Sequence, residues 1–176
     1  MAVKILSAGE VAALASRARH SVRATTGINV PDELVLAIIE RESYPKFNAR
    51  SYRREPNGAE SFGLMQILAS TARDLGFTGA PTDLFDPYTG VLWGTRYLAK
   101  QLQRYGGDYS KAVAAYNAGS ARPDGRGGYK TTPGYVDFVL GRVQYWLAQA
   151  ALHPAAPLAS VALVMLATLW IARANK

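Results

Sequence analysis

Residues 31–43 read Pro31-Asp32-Glu33-Leu34-Val35-Leu36-Ala37-Ile38-Ile39-Glu40-Arg41-Glu42-Ser43. Pro31 suits the first turn of a helix, and Asp32 and Glu33 complement the positive end of its dipole. At 100° per residue, Leu34, Val35, Ile38 and Ile39 form one apolar stripe about 140° wide. Glu42 falls near the middle of that stripe. Glu33 and Glu40 fall nearly opposite it, on the side expected to face solvent. Three carboxylates share one short helix, and one of them points to the core.

A core-facing carboxylate is costly unless compensated. Desolvation raises its pKa, and the negative end of the helix dipole pushes the same way. A carboxyl group that keeps its proton near neutral pH is what general-acid catalysis requires. From the helix alone, a side chain bent outward from the helix end, or a structural ion pair with an arginine, accounts for Glu42 better than catalysis does.

Outward from this segment, helix signals dominate. Ser7 to Glu10 reads as a capping box opening a first helix. Residues 70–75 read as a short helix closed by Gly76. Asp86 and Pro87 open a long one through Tyr105, ended by Gly106. Asp108 caps another over residues 110–117. Thr132 and Pro133 start a last helix towards Ala151. Sustained period-two alternation is nearly absent, so the fold expected is all-α. Residues 48–60 and 119–132 read as two long polar loops, the second rich in glycine and arginine. Loops of this length in a compact helical domain are either mobile surface or functional.

The 176 residues suit one domain, assigned to 1–152, with a breaker-rich linker at 153–157 and an apolar segment at 158–173. Residues 158–172 carry no charge. Extended back to Ala155, the segment reaches about 27 Å as a helix, close to a hydrocarbon core. It is expected to be a membrane-associated C-terminal hydrophobic helix; burial against the domain is the other reading. Residues 1–15 include Lys4, Ser7, Gly9 and Glu10 and do not read as a signal peptide.

The formal net charge of +7 favours an anionic partner. Its densest basic cluster is Arg50, Arg53 and Arg54. Aromatics are not interleaved with the basic residues as stacking platforms, so specific nucleic-acid binding is not expected. There is no cysteine, which excludes disulfides, thiolate nucleophiles and cysteine zinc sites. His20 and His153 lack ligand-type spacing. No metal and no cofactor are expected.

Three segments follow Glu42-Ser43 in order: Gly63-Leu64-Met65-Gln66-Ile67, then Ala115-Tyr116-Asn117-Ala118-Gly119, then Tyr135-Val136. Asp83-Leu84-Phe85-Asp86-Pro87 and Gly94-Thr95-Arg96-Tyr97-Leu98 stand between them. The set, over residues 31–146, resembles the soluble lytic transglycosylase (SLT) family, whose domain has a goose-type lysozyme-like helical fold. The resemblance implies an enzyme acting on peptidoglycan glycan strands at the cell wall. It would cleave the β-1,4 bond from N-acetylmuramic acid to N-acetylglucosamine, with Glu42 as the single catalytic carboxyl. It also implies cleft roles for Ser43, Gly63, Met65, Gln66, Tyr116, Asn117 and Tyr135. Tyr116 would hold the Glu42 carboxyl or position the sugar, and Met65 and Gln66 would line the cleft. Three have a plainer alternative: a helix cap for Ser43, core filling for Met65, capping for Asn117. Tyr135 competes with nearby Tyr129 and Tyr145 for its place.

Residues 50–60 depart from the pattern as a longer, more basic connection, expected to grip acidic groups of the wall. A basic transglycosylase with a membrane helix and no signal peptide suits a virion component that breaches the wall, or a lysis protein. A hydrolytic muramidase on the same fold and a non-catalytic membrane-tethered virion protein are the rival readings.

Overall fold

The structure is a computed structural model, described over residues 4–43, 46–55 and 58–152. Six α-helices carry it: α1 (Ala8–Thr26), α2 (Asp32–Ser43), α3 (Ala69–Asp74), α4 (Pro87–Arg104), α5 (Tyr109–Ala118) and α6 (Tyr135–Leu152). A 3₁₀ turn, Pro81–Phe85, leads into α4. The caps follow the residues that announce them. Ser7 and Glu10 form a reciprocal capping box on α1, and Gly27 closes that helix in the left-handed region at φ 73°. Asp86 accepts from the Thr89 amide at 2.9 Å and Asp108 from the Lys111 amide at 2.9 Å. The last helix starts at Tyr135, two residues later than Thr132-Pro133 suggests.

The stripe reading of α2 needs correction. Leu34 to Ile39 are all buried, without a break. The helix lies between α1 and α6 and is covered on more than one side. Glu33 is therefore 8% exposed, held in the first helical turn where an acidic side chain is favoured. Glu40 accepts from Arg142 Nε at 2.8 Å and from Trp146 Nε1 at 3.1 Å on α6. Neither faces open solvent as expected. The pair of bonds at Glu40 fixes α6 along α2.

The core also contains Val11, Ala15, Ala18 and Val22 of α1 and Val91, Leu98, Ala99 and Leu102 of α4. Burying each larger apolar side chain contributes about 1.5–3 kcal/mol. A second cluster of Phe62, Ile67, Ala72, Phe77, Leu84 and Trp93 supports the connection between α2 and α4.

That connection is not a plain loop. β1 (Ile5–Leu6) pairs antiparallel with β2 (Phe47–Asn48). β3 (Tyr52–Arg54), β4 (Glu60–Phe62) and β5 (Ile67–Leu68) form an antiparallel sheet in the order β3-β4-β5, with Arg53 opposite Ser61. The all-α reading missed these strands because each has two or three residues, too few for alternation to register. Residues 153–157 and the apolar segment 158–173 lie outside the described residues. Among the described residues, no helix is long and apolar enough to cross a membrane.

Candidate active site

Two cavities of about 580 and 570 Å³ adjoin on the face where α2, α5, α6 and the β3–β4 hairpin meet. Both are lined by Glu42, Arg53, Gln66, Asn117 and Thr132. They are two halves of one cleft with Glu42 at their junction.

The Glu42 side chain, in the last turn of α2, is 8% exposed. Tyr135 Oη donates to Glu42 Oε1 at 2.6 Å. Arg53 Nη2 donates to Glu42 Oε2 at 2.9 Å. Each carboxyl oxygen thus has its own partner. Burial pushes the Glu42 carboxyl above the usual carboxylate range. The Tyr135 hydrogen bond and the Arg53 charge oppose that rise without cancelling it. Burial, and then the charge of Glu42, push the phenols of Tyr135 and Tyr116 well above their ordinary value, so both remain neutral donors. Arg41, beside Glu42 in sequence, lies over the rings of Tyr135 and Phe138 at 5.6 and 5.4 Å.

The roles carried over to the two tyrosines are exchanged in part. Tyr116 Oη donates to the Met65 carbonyl at 2.8 Å and not to Glu42. It borders one half of the cleft and braces the turn beneath it. Tyr135 is the first residue of α6, and the packing of α6 on α2 brings its hydroxyl to the acid. Tyr145 is exposed, and its ring lies against Arg142 at 3.7 Å.

Met65 is fully buried, so its side chain fills the core and does not line the cleft as expected. A Cβ at Gly94 would stand 2.6 Å from Met65 Sδ, and that glycine makes the room. Ser43 Oγ donates back to the Ile39 carbonyl at 2.7 Å inside α2. It is 4% exposed and lines neither half of the cleft. The hydroxyl satisfies itself within its own helix, a local bond that serine forms readily.

Gly63 takes φ 75°, and a Cβ there would collide with the Leu84 carbonyl oxygen. The close approach draws the Gly-Leu-Met-Gln turn onto the 3₁₀ turn. Among the described residues, Gln66 is the one non-glycine with positive φ, at 44°. Its amide Nε2 donates to the carbonyls of Ser51 and Gly63, both at 2.9 Å. Its Oε1 accepts from Ser61 Oγ at 3.2 Å. These bonds hold a strained residue in place and tie the turn to the hairpin. Asn117 Oδ1 accepts from the Thr132 amide at 2.8 Å. Asn117 therefore fixes the end of the 119–132 connection while also facing the cleft.

The sequence reading did not assign Arg53, Glu55, Asn48, Ser51 or Thr132 to the cleft. Arg53 was visible as part of a basic cluster. A strand there would have placed Arg53 and Glu55 on one face by period two, but the strand itself was not legible. Among the described residues, no group of three or more His, Asp or Glu side chains is placed to hold a metal.

Comparison with known proteins gives the chain a family. The Transglycosylase SLT domain model matches residues 21–134, and the chain belongs to that family. It is 31% identical over 113 residues to the protein named Transglycosylase of Enterobacteria phage PRD1, covering 64% of this chain and 38% of that protein. It is 36% identical over 107 residues to the soluble lytic murein transglycosylase of Escherichia coli K12, covering 57% of this chain and 16% of that protein. The chain therefore spans well under half the length of either relative. A solved inactive mutant of lytic transglycosylase Slt from Pseudomonas aeruginosa superposes with a TM-score of 0.60 over 79% of this chain and 24% of that one, at 24% identity. That likeness bears on the fold, a lysozyme-like helical domain.

Proposed function

We propose that this chain is a peptidoglycan lytic transglycosylase. It would cleave the MurNAc-β-1,4-GlcNAc bond and leave a 1,6-anhydro-MurNAc end. The observation that carries this reading is Glu42: one buried carboxyl at the junction of the two half-clefts, its oxygens held by Tyr135 and Arg53.

Burial favours the protonated carboxyl, the state a general acid needs. Glu42 gives its proton to the glycosidic oxygen as the C1–O bond breaks. The carboxylate formed accepts the proton of the muramic acid C6 hydroxyl as that oxygen closes on C1. Tyr135 and Arg53 then stabilise the charge that appears between the two steps. The relatives' names support the activity, and the phage relative supports a role in local wall penetration during infection or lysis.

A hydrolytic muramidase is the second reading, and Glu55 is the observation that favours it. Glu55 lines one half of the cleft, where a second carboxylate would direct water. It is already engaged, by Arg53 Nε at 3.4 Å and by Ser61 Oγ at 3.0 Å. Mass spectrometry of sacculi digested by wild type and Glu42→Gln separates the readings. Anhydro ends from wild type and none from the variant are expected. Reducing muramic acid ends would establish the hydrolase instead. Undiminished digestion by Glu42→Gln would remove Glu42 from the chemistry.

A further inference from the structure

Arg53 lies between two carboxylates. Its Nη2 is 2.9 Å from Glu42 Oε2, and its Nε is 3.4 Å from Glu55 Oε1. The three side chains come from different supports. Glu42 stands at the end of a buried helix. Arg53 and Glu55 are two residues apart on the hairpin, at and just beyond β3. The Arg53 side chain is 52% exposed, while those of Glu55 and Glu42 are 28% and 8% exposed. A guanidinium on the cleft rim thus reaches inward to the acid and sideways to a second anion.

Glu55 is held in place from below. Ser61 Oγ sits 3.0 Å from Glu55 Oε1, 3.2 Å from Gln66 Oε1 and 3.3 Å from the Arg53 carbonyl, and its single proton goes to one of them at a time. The arrangement forms a row: Glu42, Arg53, Glu55, Ser61, Gln66. Its inner end is the acid, and its outer end is the strained residue of the Gly-Leu-Met-Gln turn. The other charged or titratable groups around Glu42 are less able to change place. Tyr135 from α6 and Tyr116 from α5 are buried. Arg41 on α2 is laid over Tyr135 and Phe138. Arg50 borders the same half-cleft as Arg53 and lies over Phe85 at 5.8 Å.

We propose that Arg53 is a positioning residue that divides its guanidinium between Glu42 and Glu55, and so sets how readily Glu42 gives up and takes back its proton. The proposal rests on the reading of Glu42 as the acid. In the first transfer Glu42 must carry a proton, and Arg53 turned towards Glu55 withdraws the charge that opposes this. After the transfer Glu42 is an anion, and Arg53 turned towards it holds the carboxylate ready to act as base. No atoms move between the groups except the proton that Glu42 exchanges with substrate. Glu55 is in this view a holder of Arg53 with no proton-transfer step of its own.

Two variants make opposite predictions. The alkaline limb of kcat/KM follows loss of the Glu42 proton in the free enzyme. Arg53→Met removes a cation that favours the anion, so the limb should move up by about one pH unit. Glu55→Gln removes an anion and leaves Arg53 wholly to Glu42, so the limb should move down. Arg53→Lys should fall between wild type and Arg53→Met. The same order should appear in the titration midpoint of the Glu42 carboxyl carbon, followed by 13C NMR and assigned with Glu42→Gln. Coincident midpoints in the four proteins, or shifts of one sign in Arg53→Met and Glu55→Gln, would overturn the proposal. Activity retained by Glu42→Gln would instead remove the reading on which it rests. The NMR midpoints then still decide whether Arg53 is divided between the carboxylates.

Discussion

Glu42 has an environment that penalises its charge, and folding stability should report this as plainly as activity does. Its carboxyl titrates higher in the folded chain than when unfolded, where a glutamate has its ordinary value near about 4.3. Below that value the group is protonated in both states and costs nothing. As pH rises through the folded pKa, the folded form must carry a buried anion, and stability falls. Glu42→Gln removes this dependence. Its melting temperature relative to wild type should therefore rise from acid towards neutral pH, as thermal melts by circular dichroism would show. A difference that is flat with pH would mean that Tyr135 and Arg53 fully offset the burial. The two tyrosines differ in the same kind of test. Tyr135→Phe strips one oxygen of Glu42 of its donor, and activity should fall by about 10- to 100-fold with a modest loss of stability. Tyr116→Phe frees the Met65 carbonyl, so it should cost about 1–2 kcal/mol in urea unfolding. Its effect on turnover should be smaller than that of Tyr135→Phe. The ordered motifs placed both residues near the acid. Which hydroxyl reaches it depends on how α6 lies on α2, a packing relation that spacing along the chain does not encode.

At the scale of elements, helices were legible and strands were not. Capping residues such as Ser7, Asp86 and Asp108 act within four residues of sequence, so their signal is local. β3 and β4 pair as a hairpin of three-residue strands, and Gln66, in the turn between β4 and β5, ties that turn to Ser51 across fifteen residues. The solvent side assigned to Glu33 and Glu40 failed for a similar reason. A helix wrapped on several sides has no free face: α6, about a hundred residues later, covers Glu40, and Arg19 of α1 and Tyr109 of α5 lie near Glu33. Gln66 is where this element can be tested. Gln66→Ala leaves a left-handed residue without the bonds that hold it there, and about 2 kcal/mol of stability should be lost. The hairpin should become the first site of limited proteolysis. If its cleavage rate matches that of wild type, the hairpin is held by its own strands and not by Gln66.

The whole molecule pairs a net charge of +7 with a cleft whose charged lining is mostly arginine. Such a surface attracts an anionic polymer over roughly a Debye length, about 8–10 Å at physiological salt. Binding of the Glu42→Gln protein to sacculi should weaken several-fold when salt is raised from about 0.1 M to 1 M, where that length falls to about 3 Å. Cosedimentation would measure it, and salt-independent binding would assign the affinity to sugar contacts alone. Composition made the positive charge readable, and it left an anionic partner of any class open. The cleft itself required the meeting of α2, α5, α6 and the hairpin.

The hydrogen bond from the Thr132 amide to Asn117 has a consequence for how this domain can vary. It fastens the two feet of the 119–132 excursion next to the acid. Beyond those feet the chain is braced internally. The Lys130 amide reaches the Arg122 carbonyl at 2.8 Å, and Asp124 gathers the amides of Arg126 and Gly128 at 2.7 and 3.0 Å. The tip is thus insulated from its own base. A change confined to the Arg126 side chain leaves these backbone bonds, and with them the cleft floor beside Glu42, in place.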